Sequence, residues 1–391
     1  MYFKFLRLLI LPVIFIFYSC SDSPSLVGSD LLNPEDLIEL NVTSSDSLTQ
    51  SSTNFYGDIQ TGSASLVMLG NFNSVDCSVM ARFDFNYMED TLLTDLLDGD
   101  IIINSATVSM VSVYTVGEES GTFDYTAHEI TSDWGWTTFT KDSLTKLTYN
   151  AQDISSNRSV TDDSLYTFTI DNSIALKWLV SEADSSYNNG IVIKPTTNSN
   201  RIVGFNCSST SYPAMAITIA YEKPGVYKDT LYYDVSNYLY IANRQNSIPD
   251  DGNIHIQGGL PIRNRFKIEI PNLSVSSKIN RAELKFTIDT LASKYGDPTY
   301  GSLKAYFLTS ENEIEYDSTA YIVLYKSSTE NVFSGNIASY VQRWVNGEAN
   351  YGLSISDLYE EEDVDYWVLK GGNSAVTDER PKLKIIYSIK P

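Results

Sequence analysis

Histidine is nearly missing from this chain: two in 391 residues, His128 and His255. A Ser-His-Asp hydrolase needs an imidazole poised as base, and protein zinc sites lean on imidazole and thiolate ligands. Both histidines sit in alternating stretches, "YTAHEI" and "NIHIQ", where they read as strand wall residues. Cysteine is scarce too, at three residues, and cations are outnumbered: 27 Lys and Arg against 49 Asp and Glu, a formal charge of −22. A field of that sign repels nucleic acid and anionic lipid surfaces, so neither is an expected partner. After the first twenty residues no apolar run approaches the length that spans a bilayer. Gly-x-Ser-x-Gly, phosphate-loop and dinucleotide fingerprints are absent as well. What is plentiful is Tyr (27), with abundant Ser, Thr and Asn. Tyr, Thr and Val favour strands while Ser, Asn, Asp and Gly favour turns, so the composition points to an all-β protein. Its length allows two domains of ordinary size.

The opening "MYFKFLRLLILPVIFIFYSC" has Lys4 and Arg7, then an apolar run from Leu8 to Phe17. Such a run is too short for a normal span and fits a signal-peptide core over 1–19. It ends in Ser19-Cys20, with Phe17 at the position where the motif prefers Leu, and resembles the lipobox of bacterial lipoproteins. That resemblance implies acylation (palmitate) of Cys20, a polar tether over 20–40, and an anchor in outer-membrane lipid on the periplasmic or cell-surface face. Ser21 after the cysteine looks like outer-membrane sorting, and Asp22 is similar to a surface-export tag of Bacteroidota lipoproteins. An uncleaved signal anchor is the alternative; the polar "SDSPS" after Cys20 speaks against it. Loss of Lys4 and Arg7 with the leader takes the charge from −22 to −24.

Most of the remaining chain reads as a duplication. "MARFDFNYMED" (80–90) matches "NRFKIEIPNLS" (264–274), and "INSATVSMVSV" matches "INRAELKFTID". "TFDYTAHEIT" corresponds to "SLKAYFLTSE", and "YPAMAITIAYEK" to "RPKLKIIYSIK". Between them, "NSIALKWLVSEADSSYNNGIVI" has the cadence of "ASYVQRWVNGEANYGLSIS". In each, apolar residues three and four before a Trp form one stripe of a short helix; a polar loop and a Gly follow, then a buried strand. Trp178 and Trp344 are expected as core anchors, and Gly190 and Gly352 as backbone positions that other residues resist. "EKPGVYKD" (222–229) interrupts two strand-like runs and is expected as the boundary, giving domains at 41–222 and 225–391. Cys77 and Cys207 both fall in the first copy, where they are either a disulfide or two buried thiols.

This succession resembles the DNRLRE-type domain, through Ala106, Trp134, Trp178 and Gly190 in the first copy and Ala282, Trp344, Asn350, Tyr351 and Gly352 in the second. "ENEIEYDS" stands where a counterpart of Trp134 would be, a departure from that pattern. The resemblance implies two tandem jelly-roll β-sandwiches, related in shape to TGF-β propeptides and some carbohydrate-binding modules. It implies extracellular binding or structural roles, with sugar recognition in some members, and no reaction. The lead-in "SPSLVGSDLLNPEDL" is also similar to the start of uncharacterised Bacteroidota lipoproteins.

Ligand candidates are few. "SDWGWTTFT" places Trp134 and Trp136 on one face if extended; Trp134 is the structural one, so Trp136 is the candidate sugar platform. Trp367 alternates with Tyr366 in "VDYWVLK", so one of the two is expected to face out. Asp250 and Asp251 in "IPDDGN", and Glu361 and Asp363 in the acidic run 360–365, could offer oxygens to Ca²⁺, but neither segment matches a recognised Ca²⁺ loop and solvated acidic loops are the preferred reading. No other cofactor is indicated. Asp-Ser/Thr pairs ending at Ser47, Thr91, Ser143, Ser164, Thr230, Thr290 and Ser318 look like an O-glycosylation sequon, or are common strand-entry residues. The expectation is a non-catalytic surface lipoprotein binding a polysaccharide; the rivals are an assembly component contacting surface proteins and a glycan-cleaving enzyme whose carboxylates no motif nominates.

Overall fold

Alternation in the sequence becomes alternation in burial. Ala106, Val108 and Met110 are buried on one strand and Ala282, Leu284 and Phe286 on its counterpart, while the residues between them face away from the core. The structure, a computed structural model, describes residues 40–389 except 45–47, 119, 163, 185–187, 209–211 and 312–314. Leader 1–19, Cys20, nearly all of the tether and Ser47 lie outside the described residues. No helix among the described residues is long and apolar enough to cross a membrane.

The chain is all-β, with two large antiparallel sheets forming two sandwich-like halves. In chain order the first strands are β1 (Leu40–Ser44), β2 (Gln50–Tyr56), β3 (Leu66–Phe72), β4 (Val75–Arg82), β5 (Ile102–Gly117) and β6 (Tyr125–Glu129). Then come β7 (Ser155–Thr161), β8 (Leu165–Ile170), β9 (Ile191–Pro195), β10 (Arg201–Asn206) and β11 (Ala216–Lys223). A second series follows: β12 (Tyr227–Asp234), β13 (Asn237–Arg244), β14 (Ile254–Gln257), β15 (Ile262–Ile268), β16 (Ser277–Thr287) and β17 (Ser302–Phe307). It closes with β18 (Ile322–Lys326), β19 (Val332–Asn336), β20 (Leu353–Asp357), β21 (Tyr366–Leu369) and β22 (Lys382–Ile389). Helices α1 (Asp90–Leu97) and α2 (Lys141–Leu144) belong to the first series; α3 (Asn172–Ala183) and α4 (Ala338–Val345) are the Trp-bearing pair.

The two series pair alike. β5 lies beside β8 and β11 as β16 lies beside β19 and β22; β9 joins β4 to β6 as β20 joins β15 to β17. Trp178 on α3 and Trp344 on α4 are buried in their respective cores, as the stripe predicts. Each helix is followed by an Asn-x-Gly device. The Asn188 carbonyl accepts from Gly190 N (2.8 Å) while its amide donates to Phe83 O (2.9 Å); Asn350 does the same with Gly352 N (3.1 Å) and Ile268 O (2.9 Å).

One feature breaks the simple tandem. The first two strands of each series sit on the other half: β12 and β13 pair β11 and β4, while β1 and β2 pair β22 and β15. The stretch expected as a domain boundary is therefore the turn of the β11–β12 hairpin, inside the first half. Val226 N bonds Lys223 O at 3.0 Å across Pro224-Gly225, and Gly225 has φ +74, the geometry a type II turn requires. The first half spans about 66–244; the second is discontinuous, 40–56 together with 254–389.

Cys77 and Cys207 are free and buried. Cys77 faces Gly70 on β3, whereas Cys207 donates its N–H to Ser65 O at the other end of that strand. Five extended residues cover roughly 16 Å, against the roughly 7 Å between Cα atoms that a disulfide tolerates. The disulfide reading is corrected to two thiols, both pushed well up by burial. Folded Ser21–Pro391 is expected to resist an aromatic disulfide reagent at pH 8 until denatured; prompt reaction of either thiol in the native state would contradict this placement.

Candidate functional site

From β2 the chain crosses to the first half through 57–65, and this crossing floors a cleft of 650 Å³ between the halves. Gly57 N bonds Pro261 O at 2.8 Å, and a Cβ on Gly57 would meet the Arg263 guanidinium at 2.7 Å, so a larger residue there would push that guanidinium aside. Arg263 donates to Asp58 O (3.2 Å) and holds Glu360 through Nε (2.7 Å) and Nη2 (2.9 Å). Thr61 donates its hydroxyl to Tyr240 O, pinning the crossing to β13. Tyr56, Asp58, Gln60, Phe139, Thr140 and Tyr240 line the cleft. Tyr56 is 53% exposed. Trp136 stands beside the cleft, 40% exposed, and its backbone lies so close to Gly62 that a Cβ there would fall 2.0 Å from the Trp136 carbonyl oxygen.

Trp134 is buried and donates its indole N–H to Asn189 O at 2.8 Å, with Phe139 edge-on beside it. Trp136 points outward as expected, for a different reason. The segment turns at Trp136–Thr138 instead of running extended, and with Trp134 buried and Trp136 exposed the two form no joint platform.

Neither Trp367 nor Tyr366 faces solvent, which corrects the expectation for β21: they are 0% and 5% exposed. Trp367 stacks on Tyr295 (4.7 Å between centroids) and meets Phe333 edge-on (5.0 Å) in the second core. Tyr366, on the other face, shares a 2.6 Å hydrogen bond with His255 Nδ1 and lies under the Arg244 guanidinium from β13. Because the first half covers that face, strand alternation cannot expose either ring. His255 and His128 both serve as wall residues: His128 Nδ1 lies 3.0 Å from Gln152 O.

The acidic run is likewise not a solvated loop. Glu360, Asp363 and Asp365 are buried with Asp357 where the halves meet; Glu361 is exposed. Asp365 accepts from Tyr114 Oη of the first half, Gly296 N and Thr299 Oγ1, each at 2.7 Å. Glu360 pairs with Arg263 and, at 3.3 Å, with Lys304. Asp363 sits against Gly258, its Oδ1 filling the place a Cβ would take, and accepts from Asp365 N at 3.2 Å. Asp357 accepts from Tyr359 N at 2.8 Å, yet burial, reinforced by Asp365 and Glu360, raises its pKa to about 8. Burial, then the neighbouring Asp357, pushes Asp363 well up; burial raises Asp365 against its three donors.

The four Ca²⁺ candidates form no ligand set: no group of three or more His, Cys, Asp or Glu among the described residues could hold a metal ion. Asp251 spends its carboxylate on Asn253 and His255 Nε2 (3.0 Å), and Asp250 is exposed beside it. Of the Asp-Ser/Thr hydroxyls, Thr91, Thr230, Thr290 and Ser318 are exposed, while Ser143 and Ser164 are half-buried. The sequence pointed to none of Tyr56, Asp58, Gln60 and Thr140; the available signal was "FYGD", an aromatic-Gly-acid break at the end of an alternating run. The chain matches no family model and no curated protein.

Proposed function

We propose that this chain is a lipid-anchored outer-membrane protein that binds a neutral extracellular glycan without cleaving it, and that the cleft at the crossing holds the sugar. The observation that carries this reading is one cleft combining exposed rings, Tyr56 and the adjacent Trp136, with the polar side chains of Asp58, Gln60 and Thr140. Rings pack on the C–H faces of sugars while a few placed polar groups fix orientation. The lipobox-like leader supports the anchor, and the DNRLRE-like cadence supports sugar recognition. A charge of −22 disfavours acidic or sulfated glycans. Hydrolysis calls for a pair of accessible carboxyl groups; one carboxylate, Asp58, lines the cleft, and Asp357, Asp363 and Asp365, whose pKa values are raised, are buried away from it.

The test is retention of soluble Ser21–Pro391 on a panel of immobilised polysaccharides, with Ca²⁺ and with EDTA. Binding to a neutral glycan is expected, weakened about tenfold by Trp136→Ala or Tyr56→Ala, the ~1.4 kcal/mol of one aromatic contact. Silence across the panel in both conditions would remove the glycan reading. The rival, an assembly component that contacts proteins, would then lead, and the N-terminal strands favour it.

A further inference from the structure

The opening strands of the two halves are alike in pairing and unlike in packing. β12 follows β11 through a tight turn, and β13 places Leu239, Tyr240, Ile241 and Ala242 in buried positions against β4. Their counterparts reach the second half from far along the chain. β1 meets β22 over five residue pairs and β2 meets β15 over seven. No described residue of β1 or β2 is fully buried, and none belongs to the hydrophobic clusters of either half. Backbone ladders hold them, with a few side-chain bonds. Gln50 donates to Pro381 O (2.8 Å); Asn54 donates to Asn253 O (3.2 Å) and accepts from His255 N (3.0 Å) and Asn264 Nδ2 (2.7 Å).

We infer that Leu40–Tyr56 is an exchangeable arm, and that the β15 and β22 edges of one chain accept the same arm from a second copy of this chain. Exchange breaks and remakes identical contacts, so the price is limited to association entropy and any strain in the connection 57–65. An arm that brings no core side chains leaves the second core intact while it is away, which keeps the route open. Ladder bonding of this kind is also how added strands join a sheet edge in trans. In dilute solution a chain's own arm wins, because tethering gives it an effective concentration near the millimolar range. Crowding of copies shifts the balance toward exchange, and because donor and acceptor edges differ, exchange can extend head to tail.

Val42 and Ile386 face each other in register, so Val42→Cys with Ile386→Cys reports where an arm sits. Oxidised after dilute incubation, Ser21–Pro391 carrying both is expected to give internally closed monomer. Oxidised after incubation at millimolar concentration, with a brief exposure to sub-denaturing urea, it should give linked dimers and larger species that reduction dissolves. Closing the disulfide before concentration should prevent them. Biotinylated peptide 40–56 provides a second reading on the unsubstituted chain: after the same urea cycle, uptake should rise with peptide concentration and approach one peptide per chain above the millimolar range at which the tethered arm competes. Internally closed monomer alone under every condition, oligomers that form equally with the arm already locked, or no peptide uptake would each overturn the inference.

Discussion

Acidification from pH 8 to pH 5 should stabilise this chain, by about 1 kcal/mol per pH unit for each carboxyl that keeps its proton in the fold. Asp357 is placed to do so, and its two buried neighbours are shifted in the same direction. Asp357 has its pKa raised to about 8, mainly by burial, and Asp363 and Asp365 are raised beside it. An unfolded Asp titrates near 3.9, so between that value and the folded one the native state holds protons that the unfolded chain has released. The stabilisation is complete below the unfolded value and is lost as pH rises through the folded one. Asp289 works in the opposite sense: a hydrogen bond from Lys370 lowers its pKa, so its contribution fades as pH falls through the acid range. A stability maximum near pH 5 follows, measured by urea unfolding across pH. Asp357→Asn should flatten the slope by more than one group's share, because it also relieves Asp363. Asp378→Asn removes the same charge from an exposed site, 94% accessible, and should leave the slope as it was. A parent chain that gains stability from pH 5 to 8 would contradict the buried-acid placement.

Gly352→Ala is expected to cost about 3 kcal/mol or more. Two penalties coincide: φ is +93, where a side chain is strained by roughly 1–3 kcal/mol, and the new Cβ would lie 2.4 Å from the Phe266 carbonyl oxygen, forcing β15 and β20 apart. Gly190→Ala meets the same pair of obstacles at φ +74, with Ala81 O at 2.1 Å. Gly347→Ala separates the two: φ is +101, but nothing lies within 4 Å of its Cβ, so it should lose only the strain. Denaturant midpoints of the three variants decide the matter; equal losses at 347 and 352 would show that close approach contributes nothing.

The duplication was legible because its signals are local. A Trp on a helical stripe and a Gly after a polar loop depend on nearest neighbours, and both recur at α3 and α4. Register was less legible. "ARF" and "NRF" look equivalent, yet the Asn-x-Gly devices equate Phe83 with Ile268, two residues from that match. A period-two pattern fits itself at every second residue, so such a slip keeps every face correct and goes unnoticed. The arm could not be read at all, because strands that bury no side chains carry no apolar pattern to name their partner. The acidic run misled for the opposite reason: its polarity is local, while its burial comes from Tyr114, roughly 250 residues earlier in the chain. Trp136 was found by elimination within its own segment, and the residues that join it at the cleft come from a crossing only the fold creates.

The cleft and the arm both depend on β1 and β2 lying on the second half while held more weakly than their counterparts on the first. Native-state amide hydrogen exchange on Ser21–Pro391, followed by mass spectrometry of fragments, tests this directly. Amides of β1 and β2 should be protected relative to a free peptide and should open together, well before those of β13, whose exchange should follow global unfolding. Protection of 40–56 equal to that of β13, or exchange as fast as an unstructured chain, would contradict the architecture described here.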